Sequence, residues 1–556
     1  MDVIYSIIAD EGVIVLKKIP LGIQSFRKII EGGYVYVDKT QYIYDLLSTA
    51  SYCFLSRPRR FGKSLLLDTI GEVLSGNKDL FKGLWIYSTD YEFVKHPVLR
   101  LDMSNIANKN PEVLENSLIA EMQNLIKKEG FDITHDVPSD LFKTIIEALY
   151  RKHGQRVVVL IDEYDKPILD HIDEPDTAEA NRKVLKGFFG VLKSMDPYLR
   201  LTFITGVTKF TKTSIFSELN NLLDITMTKK YSNICGIAVE DLDNYFSDHI
   251  RHLEQSCNPE RYGNIHDTIL AWYDGYSWDG RTRVINPFSL LSFFMQQRFS
   301  SFWYSSGTPT FLIKLIKDKP SSFLALEKIE ISERTLDTLD IRKMSIAPLL
   351  FQTGYLTIDK TSFRGDSESY LLKTPNLEVT EAFHLNIVAE LTENDEDVAE
   401  TAYWRIKESL RTGDLQDVPG ILKALFASIP YQLHVDREAY YHSIFLAILI
   451  ILGFNTDAEV STAKGRIDAV LELDDKVYIL EFKYKGCEPD TSQAEKQKLF
   501  EKALEEGMMQ IKDRGYARKY AQSGKNIYLA AFAFLGRDDI EMRVESLETR
   551  VLEHIG

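Results

Sequence analysis

The sequence of 556 residues contains few cysteines: four, at Cys53, Cys235, Cys257 and Cys487. They lack the close spacing of metal ligands, which argues against a zinc site and against a disulfide framework. The chain begins without the basic segment of a signal peptide. Its longest apolar stretch, 440–454, is shorter than the roughly 20 residues that a membrane helix needs. These shortages predict a cytoplasmic protein without a membrane anchor.

The sequence also has fewer basic than acidic residues, and its formal net charge is -16. Proteins that coat DNA electrostatically are usually basic. The charge therefore argues against a general DNA-binding protein, although an enzyme with a local positive groove remains compatible with it. The hydrophobic content of 44% and charged content of 27% are typical of globular proteins. A chain of this length predicts two or three domains.

A strand–loop–helix pattern around Lys63 predicts a phosphate-binding loop. The apolar run 52–55 precedes Arg57–Ser64, which ends in Gly-Lys-Ser and opens a helical pattern. In such a loop, backbone N–H groups and the helix N-terminus face an anion, the lysine reaches the outer phosphates and the serine hydroxyl ligates Mg²⁺. The usual pattern has glycine where Arg57 stands. The predicted nucleotide-binding residues of the loop are Arg57, Pro58, Arg59, Arg60, Phe61, Gly62, Lys63, Ser64 and Leu65.

Two later strand patterns end in polar residues that suit the same chemistry. The run 156–163 reads as a buried parallel strand that ends in Asp162 and Glu163. Asp162 is placed to hold Mg²⁺ and Glu163 to orient and deprotonate a water molecule. The next strand, 201–205, ends in Thr205, where a group that senses the terminal phosphate is expected. Any buried α/β strand can end in two acids, but the order of the motifs predicts ATP binding, with hydrolysis as the further expectation.

A second candidate site lies near the C-terminus, in a predicted β-hairpin of 466–473 and 477–483. Side chains alternate along a strand, so Glu481 and Lys483 project from one face, and Asp468 converges on them if the hairpin twists. Two carboxylates holding a divalent metal beside a lysine suit phosphodiester hydrolysis. A half-solvated hairpin gives the same pattern without any such function. The accessory residues of the predicted site are Glu438, Glu459 and Gln510.

These motifs together resemble those of a known two-part family, the bacterial AAA-ATPase-like proteins with a C-terminal PD-(D/E)XK nuclease superfamily domain. The phosphate loop Arg-Pro-Arg-Arg-Phe-Gly-Lys-Ser is that family's own form. The resemblance implies an ATPase core, a metal-dependent nuclease fold and a prokaryotic cytoplasmic setting, with no defined substrate. The segments that carry it are 21–26, 36–40, 57–64, 161–165 and 205–210 in the ATPase part, and 441–445, 465–468, 481–483 and 510–511 in the nuclease part.

The predicted fold class is α/β: a P-loop NTPase parallel sheet, a helical and winged-helix-like middle region, and a C-terminal α/β restriction-endonuclease-like domain. A hairpin over 354–372 belongs to the middle region, and Pro419-Gly420 suggests the last boundary. The predicted divisions are 1–18 (N-terminal lead-in), 19–235 (ATPase), 236–418 (middle region) and 419–556 (nuclease-like).

The leading hypothesis is an ATP-regulated nuclease that cleaves DNA or RNA in defence against foreign nucleic acid. Its metal ligands are Ser64 and Asp162 at the ATP site, and Asp468 and Glu481 at the nuclease site, where Mn²⁺ is an alternative to Mg²⁺. A second hypothesis is a nucleotide-dependent switch whose C-terminal domain binds a protein or nucleic acid without cleavage. A third is that ATP only stabilises the fold.

Three matters stay open at the level of sequence. Homo-oligomerisation is one, because ring-forming ATPases use an arginine from a neighbouring subunit and none can be chosen here; Lys209 and Arg200 are candidates by proximity to Thr205. The role of the motif 38–40 is another, with a helix cap as the simplest interpretation. The aromatic cluster 272–278 is the third, as core or as a base-stacking surface.

Overall fold

A computed structural model describes most of the chain. The described residues are 6–9, 12–210, 215–216, 219, 221–256, 264–305, 329–336, 339–341, 345–364, 367–392, 396–427, 455–462, 465–473, 475–488, 491–513, 516–520, 523–536 and 539–547. For 6–9, 12–15, 256, 305, 364, 367, 384, 386–392, 396–399, 426–427, 455–462, 465–468, 516 and 518 the description covers the backbone alone.

The described strands are β1 (Ser6–Ala9), β2 (Gly12–Val15), β3 (Tyr52–Ser56), β4 (Val98–Asp102), β5 (Val157–Asp162), β6 (Leu199–Gly206), β7 (Leu223–Asp224), β8 (Glu330–Ser332), β9 (Thr357–Arg364), β10 (Ser367–Lys373), β11 (Asn455–Thr462), β12 (Gly465–Glu472), β13 (Lys476–Lys485), β14 (Asn526–Leu535) and β15 (Asp539–Leu547).

The described α-helices are α1 (Phe26–Glu31), α2 (Thr40–Thr49), α3 (Lys63–Leu74), α4 (Pro111–Lys128), α5 (Pro138–His153), α6 (Lys166–Leu169), α7 (Pro175–Ser194), α8 (Val239–Ser256), α9 (Ile265–Tyr273), α10 (Pro287–Gln296), α11 (Phe302–Ser305), α12 (Glu333–Leu336), α13 (Ile346–Thr353), α14 (Leu377–Thr392), α15 (Glu396–Thr412), α16 (Val418–Ala427) and α17 (Gln493–Asp513). Short 3₁₀ helices occupy Lys78–Phe81, Trp85–Ser88, Met103–Asn105, Asp196–Tyr198, Lys229–Tyr231 and Tyr516–Tyr520.

A five-stranded parallel sheet organises the first part of the chain. Its strand order is β4-β5-β6-β3-β7, and each neighbouring pair is parallel. Because β3, β5 and β6 are adjacent and parallel, their carboxyl ends meet at one edge, which is where ligands bind in open α/β sheets. The predicted parallel sheet is confirmed, and it brings the phosphate loop, Asp162 and Thr205 to the same edge.

Helix α3 packs on one face of this sheet. Its buried residues recur with helical spacing, and alternate residues of the central strands face them, as the period of two in a strand requires. Burial of each such aliphatic side chain contributes roughly 1.5–3 kcal/mol relative to exposure. This shared core holds the N-terminus of α3 against the carboxyl ends of the strands. It thereby also positions the loop that precedes α3. It contains Leu66, Ile70 and Val73 of α3 and Cys53, Leu55, Val158, Leu160, Leu201 and Phe203 of the sheet.

The middle region combines helices with a small antiparallel sheet of order β8-β10-β9. The predicted hairpin forms: β9 and β10 pair from Ser367–Arg364 to Lys373–Thr357. Helix α13 precedes it and ends at Thr353; the C-cap residue Gly354 has a φ of 96°, in the left-handed region that glycine adopts readily. The aromatic residues Tyr273, Tyr276 and Trp278 are buried, as expected for core residues.

The chain forms two compact units: the first contains the described residues up to Val379, and the second those from Thr380 onward. The predicted boundary residues Pro419 and Gly420 lie in the first turn of α16, where proline is well tolerated. The four-part division of the sequence stays a prediction. Among the described residues, no helix combines the length and apolarity needed to cross a membrane.

The second unit contains a mixed sheet of order β11-β12-β13-β14-β15. Strands β13 and β14 are parallel, and the other neighbours are antiparallel. Helix α17 covers β13 and β14 with Phe500, Leu504, Met508 and Ile511, which follow one another at helical spacing. This is the predicted α/β arrangement, with the Glu481 strand at the centre of the sheet.

Candidate functional site

The loop between β3 and α3 borders a cavity of about 780 Å³ in the first unit. Helix α3 begins directly after Gly62, whose φ of 88° is readily available to glycine. The N-terminus of the helix therefore faces the cavity with backbone N–H groups that favour anions. The loop residues that line the cavity are Arg59, Arg60, Gly62, Lys63, Ser64 and Leu65, and Glu163 lies in the lining with them.

Lys63 is held within the curve of the loop. Its Nζ donates hydrogen bonds to the carbonyl oxygens of Arg57 and Pro58, both at 2.9 Å. Burial lowers the pKa of Lys63, and the nearby charges of Asp162 and Glu163 oppose that change. The lysine that the sequence predicts as a phosphate ligand thus sits at the helix N-terminus with its ammonium positioned by the loop itself.

Asp162 and Glu163 lie at the end of β5, beside Thr205 on β6. Thr205 is fully buried, and its hydroxyl donates to Asp162 Oδ1, which also accepts from the backbone N–H of Glu163 at 3.1 Å. Glu163 has a φ of 51°, which is uncommon for a residue other than glycine. Its burial raises the pKa of the carboxyl group. The Thr205 hydroxyl therefore orients Asp162 here, and of these two acids Glu163 is the one that lines the cavity.

Arg57 is completely buried, with its guanidinium directed into the protein rather than toward the cavity. It donates to the carbonyl oxygens of Ser56 and Thr226, each at 2.8 Å, and lies 3.9 Å from the ring centroid of Trp278. Burial lowers the pKa of Arg57 to about 10. The loop positions with positive φ are Arg60 and Gly62, so position 57 does not need the glycine of the usual pattern. Its side chain stabilises the loop from inside.

Phe61 and Pro58 also face the interior. The Phe61 ring lies 4.7 Å from the Tyr276 centroid and 5.4 Å from that of Trp278, both edge to face. A Cβ placed on Gly354 would lie 2.8 Å from Pro58. The predicted nucleotide-binding loop thus has two sides: three side chains pack against the middle region, and the others line the cavity.

Asp165 belongs to the motif 161–165, but no role was predicted for it from the sequence. It is buried, and its Oδ2 accepts from the backbone N–H and the hydroxyl of Thr208, both at 2.6 Å. The backbone N–H of Val207 donates to the same carboxylate. Burial raises the pKa of Asp165, and these hydrogen bonds oppose the rise. The residue fixes the chain after β6 against the end of β5.

The motif 38–40, whose role was left open by the sequence, connects several segments. Asp38 Oδ1 accepts from the backbone N–H of Thr40 at 2.9 Å, which forms an Asx turn just before α2, and the N-cap residue Lys39 makes no side-chain capping hydrogen bond. Lys39 Nζ lies 2.6 Å from Asp241 Oδ2 on α8 and 3.0 Å from Asn233 Oδ1. The motif therefore forms the turn that leads into α2, and Lys39 connects this turn to Asn233 and to Asp241 of α8.

The two cations considered from sequence near Thr205 both have partners within the chain. Lys209 Nζ forms an ion pair with Asp224. Arg200 Nη2 donates to the carbonyl oxygen of Leu47 at 2.8 Å. Neither side chain lines the cavity beside Lys63.

In the second unit, β13 and α17 bring three predicted residues together. Glu481 is fully buried, and its Oε1 accepts from Lys483 Nζ at 2.9 Å and from Gln510 Nε2. The predicted shared face of Glu481 and Lys483 is present. Ala469 pairs with Leu480, so Asp468 and Glu481 are each one residue beyond this pair in neighbouring strands.

The other members of that predicted set are described less fully. Glu459 and Asp468 lie on β11 and β12, where only the backbone is described, and Glu438 lies outside the described residues. In the described parts of the chain, no three His, Cys, Asp or Glu side chains group as metal ligands do. The metal ligation by Asp468 and Glu481 therefore stays a prediction.

The geometry of the first unit defines a P-loop nucleotide-binding fold. A protein-family model described as predicted AAA-ATPase matches residues 20–216, and one described as PD-(D/E)XK nuclease superfamily matches residues 436–543. The "Uncharacterized protein in vnfD 5'region" of Azotobacter chroococcum mcd 1 is 36% identical over 540 residues, which are 96% of this chain and 99% of that protein. The chain belongs to this family of AAA-ATPase-like proteins with a C-terminal PD-(D/E)XK nuclease superfamily domain.

A solved structure, the ORC2 protein of Aeropyrum pernix in ADPNP–ADP complexes, is similar with a TM-score of 0.25 and 12% identity. The similarity covers 66% of this chain and 98% of that chain. A score of this size supports no argument about fold or function.

Proposed function

We propose that the first unit binds and hydrolyses ATP in the cavity beside the phosphate loop. The observation that carries this proposal is the placement of Lys63 and the α3 N-terminus in one cavity with Glu163. Positive charge and N–H donors at one side of the cavity favour a triphosphate, and a carboxylate with a raised pKa suits a water-activating base. The family match to an AAA-ATPase supports the same function.

Each residue has a distinct role in this proposal. Lys63 exchanges its contacts with the loop carbonyls for the outer phosphates, and Glu163 orients water and accepts its proton. Ser64 and Asp162 would hold Mg²⁺, because a cavity-lining hydroxyl and a carboxylate oriented by Thr205 are the oxygen ligands that this ion prefers. Bound Mg²⁺ would neutralise charge on the phosphates.

For the second unit we propose divalent-metal-dependent cleavage of DNA or RNA, controlled by the nucleotide state of the first. The contact of Glu481 with Lys483 and Gln510 supports it, since a carboxylate with an adjacent ammonium suits phosphodiester hydrolysis. Asp468 would supply the second carboxylate, and Mg²⁺ or Mn²⁺ the Lewis acid. A cytoplasmic role in defence against foreign nucleic acid remains part of the proposal.

The two activities are tested separately. ATP binding should be lost in Lys63→Ala, and ATP turnover should be lost in Glu163→Gln while binding persists. Binding by Lys63→Ala at the wild-type level would refute the phosphate-loop assignment. Cleavage of single- and double-stranded DNA and RNA with ATP and either metal should disappear in Asp468→Ala. If no substrate is cleaved but ATP changes nucleic-acid or protein binding, the molecule is a switch rather than a nuclease.

A further inference from the structure

The phosphate loop contains three arginines, and the structure gives each a different environment. Arg57 is buried and donates to backbone carbonyl oxygens. Arg60, with a φ of 67°, lies over the ring of Phe288, 4.7 Å from its centroid. Arg59 is exposed in the lining of the cavity together with Lys63 and Glu163. Only Arg59 and Arg60 can therefore present a guanidinium group to a ligand in this cavity.

The other cations of the cavity are already engaged. Lys63 donates to the loop carbonyls, and Lys166 forms an ion pair with Asp170 at 2.8 Å. Within the described residues, Arg59 is the cavity cation whose side chain makes no ion pair, hydrogen bond or ring contact. An arginine kept in a ligand cavity without a partner is available for an anion.

The backbone of Arg59 is held by a residue of the middle region. Its carbonyl oxygen accepts from the indole N–H of Trp303 at 3.0 Å. The backbone N–H of Trp303 donates to Glu378 Oε1 at 2.6 Å, and the hydroxyl of Ser289 donates to Oε2 of the same buried carboxylate at 2.6 Å. The position of the Arg59 backbone is thus set by a short chain of contacts from the middle region.

The charge of Arg59 acts at the same place as the proposed base. Arg59, Lys63 and Glu163 all line the same cavity of about 780 Å³ beside the phosphate loop. Arg59 therefore shares this cavity with the carboxylate that would activate water. A cation at this location faces the region where negative charge increases during phosphate cleavage.

We propose that Arg59 stabilises the transition state of ATP hydrolysis from within the same chain, so that no arginine of a neighbouring subunit is needed. This inference rests on the proposed ATPase function. The water oxygen bonds to the γ-phosphorus as the bond from that phosphorus to the β–γ bridging oxygen breaks. The water proton passes to Glu163, and the products are ADP and inorganic phosphate. Arg59 contacts the γ-phosphate oxygens and the bridging oxygen, on which charge accumulates.

Arg59→Ala tests this role against a simple role in binding. Arginines that act on a transferring phosphoryl group contribute about 10³–10⁵ in kcat, so we expect kcat to fall at least about 100-fold. The Kd for ADP, measured by calorimetry, should change less than about threefold, since the contact develops in the transition state. Arg59→Lys should recover part of kcat. Arg151→Ala, on the exposed face of α5, is the matched control and should retain wild-type kcat and Kd.

A second measurement does not depend on turnover. ADP with aluminium fluoride mimics the transferring phosphoryl group, and its affinity should fall at least about 100-fold in Arg59→Ala while that of ADP alone is kept. Equal losses for both ligands, or a kcat within threefold of wild type, would overturn the inference. Wild-type protein that binds ATP without hydrolysing it would overturn the proposed ATPase function. If the wild type hydrolyses ATP and Arg59→Ala hydrolyses it at the same rate, the proposed role of Arg59 is wrong but the proposed ATPase function stands.

Discussion

The Thr205 hydroxyl donates a hydrogen bond to Asp162 Oδ1 at 2.5 Å, joining the carboxyl ends of β6 and β5. The sequence placed Thr205 as a sensor of the terminal phosphate, whereas this contact orients a carboxylate that would hold Mg²⁺. The two roles are compatible only if the hydroxyl changes partner when nucleotide binds. This relationship gives the first prediction.

Thr205→Val should weaken ATP binding when Mg²⁺ is present. A hydrogen bond to a charged group contributes roughly 1.5–3 kcal/mol, so we expect an increase in Kd of about tenfold or more. Without Mg²⁺ the loss should be smaller, since Asp162 then has no ion to hold. Titration of a fluorescent ATP analogue with and without Mg²⁺ measures both values.

Thr202→Val is the matched control for this prediction. Thr202 lies on the same strand and is also fully buried, but among the described residues its hydroxyl has no hydrogen-bond partner. Replacing an unsatisfied hydroxyl by a methyl group should leave ATP binding unchanged and stability unchanged or higher. If both variants lost the same ATP affinity, the integrity of the strand, rather than the contact with Asp162, would determine ATP binding.

Gly354→Ala should disturb the phosphate loop from the middle region. The new Cβ would lie 2.8 Å from Pro58 Cβ and 3.2 Å from Trp303 Cζ2, and the φ of 96° is strained for alanine. We expect a loss of unfolding free energy of about 1–3 kcal/mol and weaker ATP binding, because Pro58 cannot move without moving the loop. Thermal denaturation and ATP titration measure the two effects.

Gly130→Ala separates backbone strain from this steric contact. Gly130 has a φ of 74°, and a Cβ there would meet nothing within 4 Å. It should lose some stability through its backbone alone and keep wild-type ATP affinity. If Gly354→Ala also kept wild-type affinity, the packing of α13 on the loop would have no role in nucleotide binding.

The AAA-ATPase-like part of the chain was the more predictable from sequence, because its signals are local. A buried run before Gly-Lys-Ser and a run ending in Asp162-Glu163 indicate strand, loop and helix without reference to distant residues. The sequence could not predict that Arg57 turns inward, since its partners Thr226 and Trp278 are about 170 residues or more away along the chain. The contacts of Asp165 with Val207 and Thr208 could not be predicted either, because these partners are 42 and 43 residues further along the chain.

Prediction of the nuclease-like part of the chain depended more on contacts between residues that are distant in sequence. Alternation along a strand was enough to predict that Glu481 and Lys483 share a face, and the contact at 2.9 Å confirms their proximity. The contact of Gln510 with Glu481 requires α17 to pack across β13, which no local pattern specifies. The sequence could only suggest it from the position of Gln510 on a helix after the hairpin.

Glu378 should make the stability of the protein depend on pH. Its burial raises the pKa from 4.5 to about 7. A carboxyl group whose pKa is higher in the folded state destabilises the fold as pH rises, here between about 4.5 and 7, by up to about 3 kcal/mol. Glu378→Gln removes this ionisation; its amide oxygen can accept from the backbone N–H of Trp303, and its NH₂ group can donate to the Ser289 hydroxyl. The variant should be more stable than wild type at pH 8 and similar at pH 4.5, as measured by denaturant unfolding.

The control for this prediction is Glu333→Gln, at an exposed position on α12. In this variant the unfolding free energy should differ between pH 4.5 and pH 8 by the same amount as in the wild type. A Glu378→Gln variant less stable than wild type at pH 8 would mean that the ionised carboxylate stabilises Trp303 by more than its burial costs.

Lys483→Gln should both destabilise the second unit and abolish any nucleic-acid cleavage. Lys483 is partly exposed but Glu481 is fully buried, so removal of the ammonium group leaves a buried carboxylate without its ion-pair partner and should cost up to about 3–5 kcal/mol. The double variant Glu481→Gln/Lys483→Gln should regain much of that stability and still not cleave, which separates folding from catalysis. Lys485→Gln breaks the more exposed pair with Glu506 two residues along β13 and should cost under about 1 kcal/mol. Cleavage by the double variant at the wild-type rate would remove Glu481 and Lys483 from the catalytic site.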